Sequence, residues 1–368
     1  MKQRKGIIPF SCVERENKFL KSRLLKAFKE SINSKYILGQ EVTDFENKFA
    51  SHIGSKYACG VGNGHDGLLI ALKALNITFG DEVLVPTNSF LASALAVSNA
   101  NAKPVFIDCK ADSTYRLSLE SAKKKLTKNT KAIMPVHLYG MPADMDPILK
   151  FANENNLYVI EDCAQAHGAT YKNKSVGTFG DMGVFSFYPT KNLGALGDGG
   201  CVTTNNKKNI DLVRKLSNYG KCNKFDINVQ GLNSRLDTIQ AKFLTIKLEH
   251  LTEWNKIRIM IAKCYQKKIK NKDVLLPKNV RECISVWHLF PIQYTGNNLS
   301  EFKEYLYKHK ITIGFHYPIP IHKLSLYDEG IKLNNSEKFS GNLISLPIHQ
   351  FMKVEEVEFI IDKINEFN

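Results

Sequence analysis

Asp181-Met-Gly-Val-Phe-Ser-Phe-Tyr-Pro-Thr-Lys-Asn-Leu-Gly-Ala-Leu-Gly-Asp-Gly-Gly200 is the stretch from which the rest of the chain is read. It begins as an apolar run with strand character, Val184 to Phe187, and stops at Pro189. Lys191 follows at once, then glycines at 194, 197, 199 and 200, and a second apolar run, Cys201 to Thr204, leaves the loop. The layout places one amine on a tight turn at a strand end, inside a glycine-rich loop that a cofactor can approach. Ser186, on the strand itself, is placed to hydrogen-bond a phosphate. A lysine becomes a nucleophile when its surroundings depress its pKa, and the usual use is a Schiff base with a carbonyl or with pyridoxal phosphate. With 51 Lys and Arg in the chain, a surface lysine beside a β-turn is the bland alternative, and this stretch alone does not decide between them.

A second stretch, Val159-Ile-Glu-Asp-Cys-Ala-Gln-Ala-His-Gly168, reads as a buried strand ending in an acid. An aspartate at position 162 can pair with a pyridinium nitrogen, the contact that makes pyridoxal phosphate an electron sink. Gln165 is placed to reach the ring hydroxyl. Taken together, E-D-x-x-Q-x-x-G, then S-F-x-x-x-K, then G-x-G-G resembles the DegT/DnrJ/EryC1/StrS family of sugar aminotransferases. The resemblance runs over nearly the whole chain. It implies pyridoxal 5'-phosphate as cofactor and the α/β aspartate-aminotransferase fold. That fold has a large domain with a mainly parallel sheet covered by helices, and a smaller C-terminal α+β domain. The expected division is 1–254, with an N-terminal helical arm, and 255–368.

Composition sets the frame. A chain of 368 residues with 43% hydrophobic residues buries a large core and is globular. The start, Met1 to Gly6, is basic, but the apolar stretch behind it ends by Cys12, too short for a signal-peptide core. No run reaches the roughly 18 apolar residues of a membrane span. Eight cysteines without a C-x-x-C pair argue for reduced thiols in a cytoplasmic protein. The net charge of +15 comes from lysines spread along the chain, without an aromatic-interleaved stripe; it reads as a solvated surface and not as nucleic-acid binding.

In order along the chain, residues 13–35 have helical spacing through Phe19, Leu20, Leu24, Leu25, Phe28 and Ile32, and a second helix spans 42–53. After a strand at 57–61, Gly62-Asn-Gly64 opens a helix, and free N–H groups at such a terminus attract an anion. The resemblance makes this the cofactor's phosphate cradle, formed by Gly64, His65 and Asp66. His65-Asp66 stand where most members carry a small residue and a threonine, leaving backbone contacts. Strands at 82–86, 104–108, 132–138 and 159–162 alternate with helices at 91–100, 118–127 and 144–155, the pattern of a parallel sheet covered on both faces. Phe90 opens one of these helices; it is a core residue or, by the resemblance, the aromatic that stacks on the pyridine ring. His137 reads as structural. Asn233, in Gly231-Leu-Asn-Ser-Arg235, is either a helix N-cap or, as the G-x-N-x-R motif implies, a contact to the phosphate of the neighbouring subunit's cofactor. Ile313 to His322 is a proline-rigidified loop. His316 and His322 lack an interleaved Cys, Asp or Glu, so no metal site is expected.

By the same resemblance, Lys191 is the catalytic lysine, and Tyr188, His316 and Tyr317 line the hexose pocket. The local sequences are most similar to the subgroup that aminates C3 of dTDP-3-oxo-6-deoxyhexoses with L-glutamate as donor. The product would be a 3-amino-3,6-dideoxy sugar for glycans. The expected partners are a nucleotide-linked keto sugar, glutamate and a second copy of the chain, in a homodimer with shared sites. Amination at C4 is the nearest alternative. A sugar dehydratase would carry histidine in place of Lys191, and a non-catalytic sugar-binding protein of this fold is a third reading.

Overall fold

The computed structural model describes residues 6–223 and 226–367. The basic start, apart from Gly6, lies outside them. Helix α1 (Val13–Ser31) carries Glu14 and Glu16 in its first turn and Lys29 in its last, charges that suit the helix dipole. It buries Leu20, Leu24 and Ala27 against Phe243 and Trp254, while Phe19, Leu25, Phe28 and Ile32 stay exposed. The apolar positions that read as one stripe therefore divide into two faces, and only one of them is covered within the protomer. Helix α2 (Gln40–Ile53) buries Phe45 and Phe49 and ends at Gly54, whose φ of 75° closes the left-handed cap.

Strand β1 (Tyr57–Val61) leads to α3 (Gly64–Ala74). Then β2 (Glu82–Pro86), α4 (Ala92–Asn99), β3 (Lys103–Ile107), α5 (Leu119–Lys125), β4 (Thr130–Ile133), α6 (Met145–Glu154) and β5 (Tyr158–Asp162) alternate. Two short strands, β6 (Thr170–Tyr171) and β7 (Lys174–Ser175), precede β8 (Met182–Ser186) and β9 (Gly200–Thr204). The large sheet has the order β1-β9-β8-β5-β4-β2-β3. Only β9 runs against the rest. Strand β8 shows why both faces are apolar. Met182 and Val184 enter the core under α3, whereas Phe185 packs with Phe45, Phe49 and Phe187 on the other side, the two-residue period of a strand buried on both faces.

The strand expected at 132–138 ends at Ile133. Pro135 has no N–H to donate, and the chain continues extended through single contacts, Asp162 N–H to Pro135 O (2.9 Å) and His137 N–H to Asp162 O (3.0 Å), before a 3₁₀ turn at Leu138–Gly140.

Helices α7 (Lys207–Ser217) and α8 (Thr238–Leu248) lead to α9 (Leu251–Lys268). The expected domain boundary, 254/255, lies within α9. Beyond it come β10 (Val274–Leu275), β11 (Cys283–Ile284), β12 (Phe290–Tyr294), α10 (Leu299–Lys308), α11 (Asn334–Ser340), β13 (Leu343–Leu346) and α12 (Val354–Glu366). Strands β10, β12 and β13 form an antiparallel sheet, and β11 pairs with β6. The core here, around Tyr265, Phe290, Phe302 and Ile360, also takes in Ile8 and Met141 from the earlier part of the chain. Among the described residues no helix is long and apolar enough to cross a membrane. All eight cysteines are free thiols.

Candidate active site

The carboxyl ends of β5 and β8, the loop after β8 and the start of α3 meet at one place, which is where ligands sit in sheets of this kind. A cavity of about 630 Å³ opens there.

Asp162 is the last residue of β5 and is buried. Its Oδ2 accepts from Ser93 Oγ (2.8 Å), which in turn touches Ser89 Oγ (3.0 Å), and its Oδ1 accepts from the Ala164 N–H (3.1 Å). The preceding residue points the other way, as strand alternation requires. Buried Glu161 takes His137 Nε2 (3.0 Å) and the Gly177 N–H (2.8 Å) on one oxygen, and the Phe179 and Gly180 N–H groups (both 2.8 Å) on the other. Because His137 Nδ1 accepts from the Ala143 N–H (2.9 Å), the network assigns the ring hydrogen to Nε2. His137, Glu161 and Cys163 lie close enough together to resemble metal ligands. Both Glu161 oxygens are filled, however, and burial pushes the Cys163 thiol well up, toward its protonated form. The cluster is an anchor that fixes the strand end carrying Asp162.

Lys191 sits where β8 has turned back. Its N–H closes onto Tyr188 O (2.9 Å), and Gly194 packs so tightly that a Cβ there would lie 2.4 Å from Pro189 O. Buried Lys247 braces the loop from below, donating to Gly194 O (2.7 Å). Among the described residues nothing accepts a hydrogen bond from the half-buried Lys191 amine. Burial lowers its pKa to about 8, with the Asp162 charge acting partly against that shift. A lysine in this state has a substantial neutral fraction near pH 8 and serves as a nucleophile.

An anion seat faces it. Asn63 caps α3 by accepting from the Asp66 N–H (2.8 Å), and the Gly64 and His65 N–H groups, in the first turn, have no intrahelical acceptor. Gly64 lies against β8 so closely that a Cβ would stand 2.8 Å from Ser186 Cβ, which brings the helix terminus to the Ser186 hydroxyl. Gln165 Oε1 accepts from the Tyr139 N–H (2.6 Å) and its Nε2 donates to Tyr317 Oη (3.0 Å), leaving one amide hydrogen for a ligand. Phe90 is exposed at the mouth, its ring 5.8 Å from that of Tyr317. His316 stacks on Phe10 and contacts Ser345 Oγ through Nδ1 (3.0 Å). Burial, then the Lys191 charge, lowers its pKa to about 4, so the ring is neutral at pH 7.

Gly64, His65, Phe90, Asp162, Gln165, Ser186, Tyr188, Lys191, His316 and Tyr317 all line this cavity. Asp66 does not: its carboxylate turns to His65 Nδ1 (3.3 Å) and the Ser234 hydroxyl, contacts that hold its pKa down. Asn233 is exposed, bridged to Asn218 outside the cavity, and the N-cap of α8 is Asp237 instead. His322 is also elsewhere, between Thr87 Oγ1 (2.7 Å) and Glu337 (2.9 Å). The sequence reading missed Asn63, the Ser89–Ser93 pair, Arg258, His288 and His349. Asn63, as a cap before a helix, carried a legible signal; the others are brought in from distant elements.

The donor set fits a phosphorylated aromatic aldehyde with a basic ring nitrogen. An amine stands ready for the carbonyl, a buried carboxylate for the ring nitrogen, and a helix terminus with a hydroxyl for the phosphate. A family model described as the DegT/DnrJ/EryC1/StrS aminotransferase family matches residues 19–365. The dTDP-3-amino-3,6-dideoxy-alpha-D-galactopyranose transaminase of Aneurinibacillus thermoaerophilus is 43% identical over 364 residues, covering 98% of this chain and 99% of that protein. The crystal structure of Streptomyces venezuelae DesV superposes with a TM-score of 0.95 at 36% identity, covering 98% of each chain. NtdA of Bacillus subtilis, solved with bound cofactor PMP, superposes at 0.92 and 28% identity, covering 99% of this chain and 86% of that one.

Proposed function

Since the chain belongs to the DegT/DnrJ/EryC1/StrS aminotransferase family, whose chemistry depends on pyridoxal phosphate, we propose that it transfers the amino group of L-glutamate to C3 of a dTDP-3-oxo-6-deoxyhexose. The product would be a dTDP-3-amino-3,6-dideoxyhexose for glycan biosynthesis. The observation that carries the reading is the pairing of a lysine amine of pKa about 8 with a buried aspartate at the ends of adjoining parallel strands. The substrate reading rests on the Aneurinibacillus relative, which matches end to end.

When bound, the cofactor supplies an electron sink for the bond broken at the amino-bearing carbon. The chain's own residues do the rest. The first turn of α3 and the Ser186 hydroxyl hold the phosphate. Asp162 would keep the ring nitrogen protonated, its carboxylate already oriented by Ser93 and the Ala164 N–H. The Lys191 amine would hold the cofactor's carbonyl carbon and would serve as general base toward the donor's α-carbon, work that suits its lowered pKa. Toward the keto sugar the same amine would deliver a proton to C3. Neutral His316, Tyr317 and Tyr188 orient the hexose by hydrogen bonds from the mouth of the cavity.

The protein is further proposed to act as a cytoplasmic homodimer. A second copy would cover the exposed Phe19, Leu25, Phe28 and Ile32 of α1, and Asn233 would reach the partner's cofactor phosphate. The test is mass analysis of products after incubation of loaded enzyme with glutamate and a panel of 3-keto and 4-keto nucleotide sugars. Amination restricted to 4-keto sugars would overturn the C3 assignment.

A further inference from the structure

The cavity lining includes a buried cation that the reaction as described does not use. Arg258, on α9, lines the cavity and is only 4% exposed. Its Nε donates to Gln350 Oε1 (3.2 Å), and its Nη1 faces the carbonyls of Ile348 (2.9 Å), Trp287 (3.2 Å) and His288 (3.4 Å). Every one of those acceptors is neutral. The acid that bears on it, Glu16, is engaged elsewhere, with one oxygen on Lys247 Nζ (2.7 Å) and the other on Gln350 Nε2 (2.7 Å). Cys12 also bears on it, but burial raises that thiol to about 11, so it carries no charge near neutrality. Among the described residues Arg258 therefore has no carboxylate partner, and nothing accepts from its Nη2. Burying a guanidinium without a counter-ion is costly, and the arrangement is stable in use when a ligand brings the negative charge.

His349 gives the second, independent observation. It lines the same cavity, is 1% exposed, and neither ring nitrogen has a hydrogen-bond partner; the Pro9 carbonyl lies near without closing a bond. Burial and the Arg258 charge lower its pKa to about 3. His288, whose Nδ1 meets Asn192 Oδ1 (3.2 Å), is held neutral by burial and then by the Lys191 and Arg258 charges. One cavity is thus lined by an amine, by imidazoles that burial keeps neutral and by a guanidinium without a carboxylate partner.

Resting on the aminotransferase reading, we propose that Arg258 and His349 form the seat for a carboxylate of the amino donor, with the guanidinium as counter-ion and an imidazole N–H as second donor. A diphosphate is the other anion this enzyme would meet. It is attached to a nucleoside on one side and a hexose on the other, however, and Arg258 is only 4% exposed, among buried residues. A carboxylate is small enough to enter there, and Lys191 lines the same cavity. The seat would also explain how one cavity serves two unlike substrates in turn: the sugar uses the Tyr188–His316–Tyr317 side, and the amino acid uses the α9 end.

The test separates the two half-reactions of the loaded enzyme. Donor use is followed as loss of the visible cofactor band against L-glutamate concentration. Sugar use is followed as its return when the aminated enzyme meets the keto sugar. Arg258→Gln should raise the half-saturating glutamate concentration at least ~30-fold, the size expected when a buried charge loses its partner. His349→Gln, which leaves the ties of α9 untouched and guards against a folding failure of the first variant, should raise it ~3–10-fold. The sugar half-reaction should stay within about twofold in both. L-alanine as donor identifies the carboxylate: an equal loss with alanine marks the α-carboxylate, and a loss with glutamate alone marks the side-chain carboxylate. Unchanged glutamate saturation in both variants, or a sugar half-reaction that falls in parallel, would overturn the seat. Wild-type enzyme that accepts nitrogen from a different amino acid and not from glutamate would instead refute the glutamate reading alone, and the same variants are then read with that donor.

Discussion

Asp162→Asn tests the electronic core of the mechanism. The substitution keeps volume and shape, and the amide retains one oxygen for the Ala164 N–H, now 3.1 Å away, or for Ser93 Oγ, now 2.8 Å away. Ser93 can reverse its hydroxyl to accept from the new NH₂ group, so the structural cost is one altered hydrogen bond, about 1 kcal/mol. The chemical cost is larger. A neutral amide cannot hold a ring nitrogen protonated in a buried site, and removing one partner of such a pair costs about 3–5 kcal/mol. If most of that loss appears in the transition state, turnover falls ~10²–10³-fold. A second readout follows from the lysine. The Asp162 charge is the influence that holds the Lys191 pKa up against burial at about 8. Without it the pKa falls below that value, and the neutral amine is already abundant at lower pH. The pH dependence of cofactor capture by the cofactor-free protein, measured by stopped-flow absorbance, should therefore rise through about 8 in the wild type. In the variant that rise should move to lower pH. Turnover within tenfold of wild type, or a rise that moves to higher pH, would refute the reasoning.

The other predictions concern single residues. Lys191→Ala should keep cofactor affinity measurable by equilibrium dialysis, through the α3 terminus and Asp162, yet show no turnover; normal transamination would remove Lys191 from the mechanism. His316→Ala should raise the Michaelis constant for the keto sugar while glutamate-driven bleaching survives, and loss of bleaching would reassign the loop at 313–322. If an Asn233 variant is inactive, mixing and exchanging it with Lys191→Ala should restore about a quarter of wild-type activity. Half the dimers are then mixed, and each has one site with both wild-type residues. No recovery after confirmed exchange would mean that Asn233 serves its own chain.

Much of the site was legible because its residues follow strand ends in local runs. Asp162 and Gln165 belong to one run, Ser186, Tyr188 and Lys191 to another, and Gly64 and His65 to a third, each ending a strand or opening a helix. Local spacing is enough to place such residues, since the sheet rule sends every parallel strand end to the same face. Asp66 shows the limit: its neighbours in sequence line the cavity, but its side chain is drawn to Ser234, 168 positions away, and that competition has no local signature.

The sequence by itself determined the parallel sheet and the placement of Lys191 and Asp162 after strand ends, because strand period, glycine turns and helix starts are properties of neighbouring residues. Only the tertiary structure decided the state of those groups. The Lys191 pKa comes down to about 8 because other elements bury the amine. Glu161 is tied to backbone N–H groups while Asp162 faces the cavity because alternate strand faces meet different surroundings. Arg258 becomes a candidate ligand only when α9, Trp287, His288 and Ile348 close around it without an acid. Desolvation and unpaired charge depend on everything packed within a few ångströms, and the chain brings those atoms together from positions hundreds of residues apart.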